Sequence, residues 1–184
     1  LALAGDGSRF TLATREFGEA EVRLPLIGEF NVANALCAAA TALGLGISLA
    51  TVVQGLDSAP AVPGRMARVD AGQPFSVVVD YAHTPDSLEK ILRLLRSLHP
   101  GGRLIAVFGS AGERDREKRP IQGAVAAGLA DIVIVTTEDP RFEDADAIIA
   151  EIVAGARNSG QIDGAHLHTR TDRQDAVDLA ISLA

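Results

Sequence analysis

The chain has 184 residues, with 17 Lys and Arg against 24 Asp and Glu, a formal net charge of −7, 47% hydrophobic residues, 4% aromatic residues and no Trp. This balance excludes a surface built for nucleic acid or an anionic membrane as the main partner, because either needs a concentrated positive field; small polar or anionic ligands held by a few local basic side chains stay open. No apolar run approaches the ~20 residues of a bilayer span, residues 1–10 lack the basic flank and long apolar region of a signal peptide, and the expected compartment is the cytoplasm.

The sequence opens without Met, as expected for a piece cut from something longer. Residues 10–13 and 22–26 read as short strands around the polar turn 14–21. From residue 31 to 46, Ala35, Leu36, Ala39, Ala40 and Leu43 recur at helical spacing, and Gly44 and Gly46 end the run. Cys37, the single cysteine, lies inside this small apolar stretch; it excludes a disulfide framework and reads as a buried structural thiol. A second helix follows over residues 49–56. Pro60, Pro63 and Gly64 then interrupt regular structure, and a domain boundary is expected between Ser58 and Arg68, giving domains of residues 1–59 and 60–184.

Beyond the boundary the pattern alternates: strand 75–79, helix 85–98, strand 103–108, helix 120–129, strand 132–136, helix 145–156, and a last helix 172–183. Three strand–helix units in series predict an α/β fold with a mostly parallel, right-handed, Rossmann-like sheet, and a core of Ala, Val, Leu and Ile suits a sheet covered on both faces. In helix 85–98, Leu88, Ile91, Leu92, Leu95 and Leu98 form the apolar stripe, with Glu89, Lys90, Arg93 and Arg96 opposite. With no strand after the last helix, the sheet is expected to be truncated at an edge.

In such a sheet, ligands bind beyond the carboxyl ends of the strands, where loops and helix N-termini converge. Three loops fall there. Asp80-Tyr81-Ala82-His83-Thr84-Pro85 offers a carboxylate suited to a ribose diol and an imidazole suited to phosphate, metal or a reacting carboxylate; equally, Asp80 and Thr84 are good helix caps. Residues 109–120 join small residues to a dense charge cluster that includes Arg114 and Lys118; glycines let backbone approach a ligand and Arg grips carboxylate or phosphate, though a solvated charged loop has the same composition. Thr136-Thr137-Glu138-Asp139-Pro140-Arg141 puts two acids beside a guanidinium, a set able to recognise a zwitterionic amino acid, or simply a turn initiated at Asp-Pro. Farther upstream, Asn31 and Asn34 place two amides three residues apart, fit for an adenine edge, with Asn31 equally placed as an N-cap. No Gly-Lys-Ser/Thr phosphate loop occurs.

The ordered segments GEFNVANALCAAA, VPGRM, VVDYAHTPDSLEK, VFGSAGERDREKRP and TTEDPRFEDADAII resemble the Mur ligases of peptidoglycan synthesis, in their UDP-N-acetylmuramyl-tripeptide synthetase branch, over nearly the whole chain. The resemblance implies a three-domain enzyme, with residues 1–59 ending the central ATP-binding domain and residues 60–184 forming most of the last, amino-acid-binding domain. It implies ATP and Mg2+ as cofactors and, as substrates, a UDP-muramyl dipeptide and a diamino acid joined through an acyl phosphate; no nucleic-acid or membrane partner is expected, and the missing domains of the same chain are.

By resemblance, Asn31 and Asn34 match adenine-side asparagines, Arg65 a phosphate-contacting arginine, Asp80 a ribose-binding acid, and His83 a catalytic-site histidine beside the nucleotide. Arg114, Asp139 and Arg141 match positions that grip the far carboxylate and amine of diaminopimelate, with Glu138 beside them; Lys118 matches a lysine with no assigned role. Family members that add diaminopimelate usually read Asp-Asn-Pro-Arg where this chain reads Glu138-Asp139-Pro140-Arg141. Exchanging an amide for a carboxylate removes two donors and adds a charge, so meso-diaminopimelate is favoured with lysine or ornithine as alternatives. The phosphate loop, the magnesium-associated lysine and a Gly-Lys-Gly-His-Glu segment are expected outside these residues, which alone should be inactive. Competing readings are a folylpolyglutamate-synthetase-like ligase, a metal-dependent hydrolase using Asp80, His83, Asp115, Asp139, His166 and His168, and a non-catalytic ligand-binding module.

Overall fold

A computed structural model describes residues 1–160 and 163–184. The chain divides into two compact units, Leu1–Tyr81 and Ala82–Ala184.

In the first unit, β1 (Ala2–Ala4), β2 (Gly7–Thr14) and β3 (Gly18–Leu24) form an antiparallel meander in which Phe10 pairs with Val22 and Leu12 with Ala20. Period-two alternation sends Phe10, Leu12, Val22 and Leu24 to one face. There they pack on α1 (Glu29–Gly44) and α2 (Leu49–Asp57) through Val32, Ala35, Ala39, Leu43 and Val52. The thiol expected to be buried is exposed: Cys37 lies on the outer face of α1. The reason is helical phase, since it stands two residues, or ~200° of rotation, from both Ala35 and Ala39 on the buried stripe.

The strand expected over residues 75–79 shortens to β5 (Val77–Val79) and does not join the parallel sheet. It pairs antiparallel with β4 (Ala67–Val69), Ala67 opposite Val79 and Val69 opposite Val77. Local chemistry makes this hairpin: the Asp70 carboxylate accepts from the Gly72 amide at 3.0 Å, the Gln73 side chain accepts from the Ala71 amide at 2.7 Å, and Gly72 has φ 81°, a conformation glycine adopts at little steric cost.

The second unit holds the parallel sheet, β6 (Ile105–Phe108), β7 (Ile132–Thr136) and β8 (Leu167–Arg170), with β7 central. Every residue of β7 is buried, as the continuous apolar run requires of a doubly covered strand. Val133 and Val135 pack with α3 (Pro85–Leu98), α4 (Lys118–Leu129) and α5 (Ala145–Asn158) through Leu88, Leu92, Ala126, Ile148 and Ile152. Ile132 and Ile134 pack on the other face, against Ala176 and Leu179 of α6 (Arg173–Leu183). The fold class is α/β, as expected.

Helices α4 and α5 meet backbone to backbone. A Cβ on Gly123 would fall 1.9 Å from the Ile152 carbonyl oxygen, and one on Gly155 would fall 1.8 Å from that of Pro120; only glycine permits either approach. Among the described residues no helix is long and apolar enough to cross a membrane.

Candidate functional site

Asn31, Asn34, Arg65 and Asp80 belong to the first unit, and His83, Arg114, Glu138, Asp139 and Arg141 to the second. In the first, Asn31 sits in the opening turn of α1, buried, and its side-chain amide donates to the Ile27 carbonyl at 2.9 Å. Gly28, with φ 102°, is the N-cap, so the alternative of Asn31 as N-cap falls. Asn34 lies one turn on and is exposed, leaving the two amides in different surroundings.

Arg65 and Asp80 are brought to the same end of the β4–β5 hairpin, because the pairing of Ala67 with Val79 continues outward to put Met66 beside Asp80 and Arg65 beside Tyr81. The Asp80 carboxylate accepts from the Met66 amide at 2.7 Å, with Met66 at φ 47°. The Arg65 guanidinium lies over the Tyr81 ring, 4.8 Å from its centroid, within cation–π range. Asp80 therefore braces backbone instead of capping α3. The cap is Thr84, which forms a reciprocal capping box with Ser87 and is followed by Pro85 in the first turn.

In the second unit, His83 is exposed, and its backbone carbonyl accepts from Lys118 Nζ at 2.9 Å. The loops after β6 and β7 are joined directly. The Gly112 amide donates to the Asp139 carbonyl at 2.8 Å; a Cβ on Gly112 would fall 2.0 Å from the Pro140 oxygen, and one on Gly109 would fall 2.3 Å from the Thr136 oxygen. Arg114 follows Glu113, which has φ 50°, and Arg141 itself has φ 51°. Non-glycine residues in this region are uncommon and gather where surroundings over-determine them. Arg141 is held locally, its amide donating to the Asp139 carboxylate at 3.3 Å and its Nε 3.7 Å from the same carboxylate. Arg114, Glu138 and Asp139 are exposed, so the structure brings the predicted amino-acid residues onto two adjoining loops and leaves their charges to solvent.

Beneath these loops lies a group that sequence reasoning passed over. Arg119 is fully buried. Its Nη1 donates to Glu143 at 2.9 Å and Glu151 at 2.8 Å, and its Nη2 to Glu143 at 2.9 Å and to the Ala111 carbonyl at 3.3 Å. Glu143 also accepts from the Glu113 amide, and Glu151 pairs with Arg116. The hydrogen bond from Arg119, then that from the Glu113 amide, pulls the Glu143 carboxyl down to about 2; Arg116 and then Arg119 lower that of Glu151. Arg119 stands in a charge cluster whose other members are mostly solvated, and its partners lie 24 and 32 residues away, so no local pattern marks it. Tyr81 was read only as part of its loop.

Among the described residues, no three His, Cys, Asp or Glu side chains gather as a metal site. Of the residues named in the hydrolase reading, His83, Asp115, Asp139, His166 and His168 of the second unit form no such group.

The family model for the Mur ligase glutamate ligase domain matches residues 64–184, and the chain belongs to the Mur ligase family. It is 51% identical over 179 residues to a UDP-N-acetylmuramyl-tripeptide synthetase of Roseiflexus sp. (strain RS-1), covering 97% of this chain and 35% of the relative. It is 42% identical over 184 residues to a UDP-N-acetylmuramoyl-L-alanyl-D-glutamate--2,6-diaminopimelate ligase of Bacillus licheniformis, covering 100% of this chain and 36% of that protein. Mycobacterium tuberculosis folylpolyglutamate synthase complexed with ADP has a similar structure, with a TM-score of 0.77 at 27% identity, covering 98% of this chain and 39% of that one. The chain thus spans about a third of the length of the curated relatives it matches.

Proposed function

We propose that these residues are the amino-acid-binding end of an ATP-dependent ligase that adds a diamino acid, meso-diaminopimelate in preference to L-lysine or ornithine, to UDP-N-acetylmuramoyl-L-alanyl-D-glutamate through an acyl phosphate. The observation that carries the reading is the pair of backbone-joined loops at the carboxyl edge of the parallel sheet, which present Arg114 and Arg141 together with Glu138 and Asp139. Guanidinium groups suit the distal carboxylate of the diamino acid, and the acidic side chains suit its ammonium. A relative at 42% identity named as a 2,6-diaminopimelate ligase supports it, and one at 51% named as a UDP-N-acetylmuramyl-tripeptide synthetase supports the branch.

On this reading residues 1–59 close a central ATP-binding domain and residues 60–184 form the last domain, consistent with a family match that starts at residue 64. Asn34 and Asn31 serve the adenine side, Arg65 a phosphate, and Asp80 the ribose. His83 stands beside the nucleotide as the catalytic-site histidine. Positioning of acyl phosphate and attacking amine supplies most of the rate in such chemistry. Magnesium neutralises phosphate charge when bound, and on this reading these residues bind and orient the substrates.

The test is ligation by the complete gene product with ATP, the muramyl dipeptide and each of meso-diaminopimelate, lysine, ornithine and glutamate. Preferential incorporation of diaminopimelate, lost on Arg141→Ala, is expected; glutamate addition to a folate would establish the folylpolyglutamate-synthetase-like alternative that the structural likeness keeps in view. The 184 residues alone are expected to release no ADP.

A further inference from the structure

Two consecutive residues at the start of α4 reach three separate loops, and neither is among the groups assigned to substrate. Lys118 donates from Nζ to the His83 carbonyl, 35 residues earlier, at 2.9 Å. Arg119 donates to the Ala111 carbonyl in the loop that carries Arg114, to Glu143 just beyond Arg141, and to Glu151 on α5. Successive side chains on a helix diverge by ~100°, which lets neighbours in sequence serve different loops.

The chemistry of each residue fits its task. A single ammonium on a flexible stem suffices to hold one carbonyl. The rigid guanidinium fork is needed to hold two carboxylates and a carbonyl at once. The loops tied by Arg119 are the ones that carry left-handed backbone at Glu113 and Arg141, conformations that persist only under tertiary constraint. The Glu143 carboxylate, gripped by Arg119, takes the Glu113 amide, so the ion pair reaches the backbone next to Arg114.

We infer that Lys118 and Arg119 are positioning residues with separable duties: Lys118 sets the His83 loop on the nucleotide side, and Arg119, through Glu143 and Glu151, sets the two loops that grip the amino acid. The assignment of sides rests on the function proposed above.

The experiment uses the complete gene product, steady-state kinetics in ATP and in diamino acid, and the NMR signal of the His83 imidazole, assigned with His83→Gln. In Lys118→Met the His83 signal moves and the KM for ATP rises or kcat falls by about tenfold, the scale of one lost hydrogen bond, while the KM for diamino acid stays within about twofold; Lys118→Arg restores the parent values. In Arg119→Lys the KM for diamino acid rises about tenfold or more as loop geometry loosens, the preference among diamino acids narrows, and the His83 signal and KM for ATP hold. If Arg119→Lys fails to fold, Glu143→Gln, isosteric and only partly exposed, is read in the same assay. Equal changes of both KM values in both variants, or no change in either, overturn the inference. A parent enzyme that ligates none of the amino acids overturns the proposed function instead, and the His83 signal in the two variants then still decides whether Lys118 alone governs that loop.

Discussion

The loops after β6 and β7 are knitted by backbone contact and buried charge: Gly112 against Pro140, the Gly112 amide on Asp139, and Arg119 beneath both with two carboxylates. Residues 80–85 are fastened by separate single contacts, with Asp80 on the Met66 amide, Arg65 stacked on Tyr81, Lys118 on the His83 carbonyl, and Thr84 in its capping box. On the function proposed above, the loops after β6 and β7 must hold several charges at fixed separations, and only a close-packed base can fix them. On the same reading, residues 80–85 need one carboxylate and one imidazole placed, for which single hydrogen bonds suffice. Substitutions under the knitted loops should therefore spread, and those in residues 80–85 should stay local.

The largest expected effect is at Gly112. In Gly112→Ala the new Cβ meets Pro140 backbone, which cannot rotate aside, and a loss of about 3 kcal/mol or more, at or beyond the upper end for overpacking, is expected, read by urea denaturation together with, on the proposed function, a raised KM for the diamino acid. Unchanged stability would show that the two loops separate freely.

Next comes Arg119→Met. Removing one member of a buried ion pair costs about 3–5 kcal/mol where the remaining charge is stranded, but Glu143 and Glu151 keep a quarter to a third of their side-chain exposure and recover solvent. A destabilisation at or just under the lower end of that range is expected, and a stabilised variant would mean that the pair is retained for geometry alone.

Thr84→Ala should cost about 1 kcal/mol, the usual value of an N-cap, with the amino-acid KM unchanged. A shift in that KM as large as the one from Gly112→Ala would erase the contrast between the two regions.

The last effect is read on acidification. Glu143 titrates near 4.5 when unfolded and at about 2 in the fold. Above pH 4.5 both states are ionised and its contribution is complete; from 4.5 down to 2 the unfolded chain binds a proton that the native one does not, so stability falls with pH, and below about 2 the contribution is gone. Glu151, lowered for a related reason, acts in the same direction. Glu143→Gln should flatten this limb of a stability–pH curve, and an unaltered slope would remove Glu143 as its source.

The places of the candidate loops were legible because strand ends are local in sequence: the loops after β6 and β7 follow apolar runs at the carboxyl ends of parallel strands, whereas residues 80–85 follow a strand that pairs antiparallel outside that sheet. Helix α3 was fully legible, its stripe, Pro85 and capping Thr84 all lying within one element. What failed did so through phase or partner: Cys37 has apolar neighbours on both sides, and only its rotation about α1 turns it outward; Val77–Val79 looks like a parallel core strand, and only the pairing with Ala67–Val69 decides otherwise. Strand β8 was not anticipated, since Leu167–Arg170 is short and half polar and is fixed by its neighbour β7.

By itself, then, the sequence determined the α/β class, the helices, the family and the places of the loops after β6 and β7, because periodicity and contiguous motifs are properties of neighbours along the chain. Tertiary structure alone decided that one arginine in a run of charges is buried, that its carboxylates come from residues 143 and 151, and that the loops after β6 and β7 touch through glycine. Those facts depend on which distant segments share a core, and an ion pair spanning 24 or 32 residues leaves no periodic trace in the sequence.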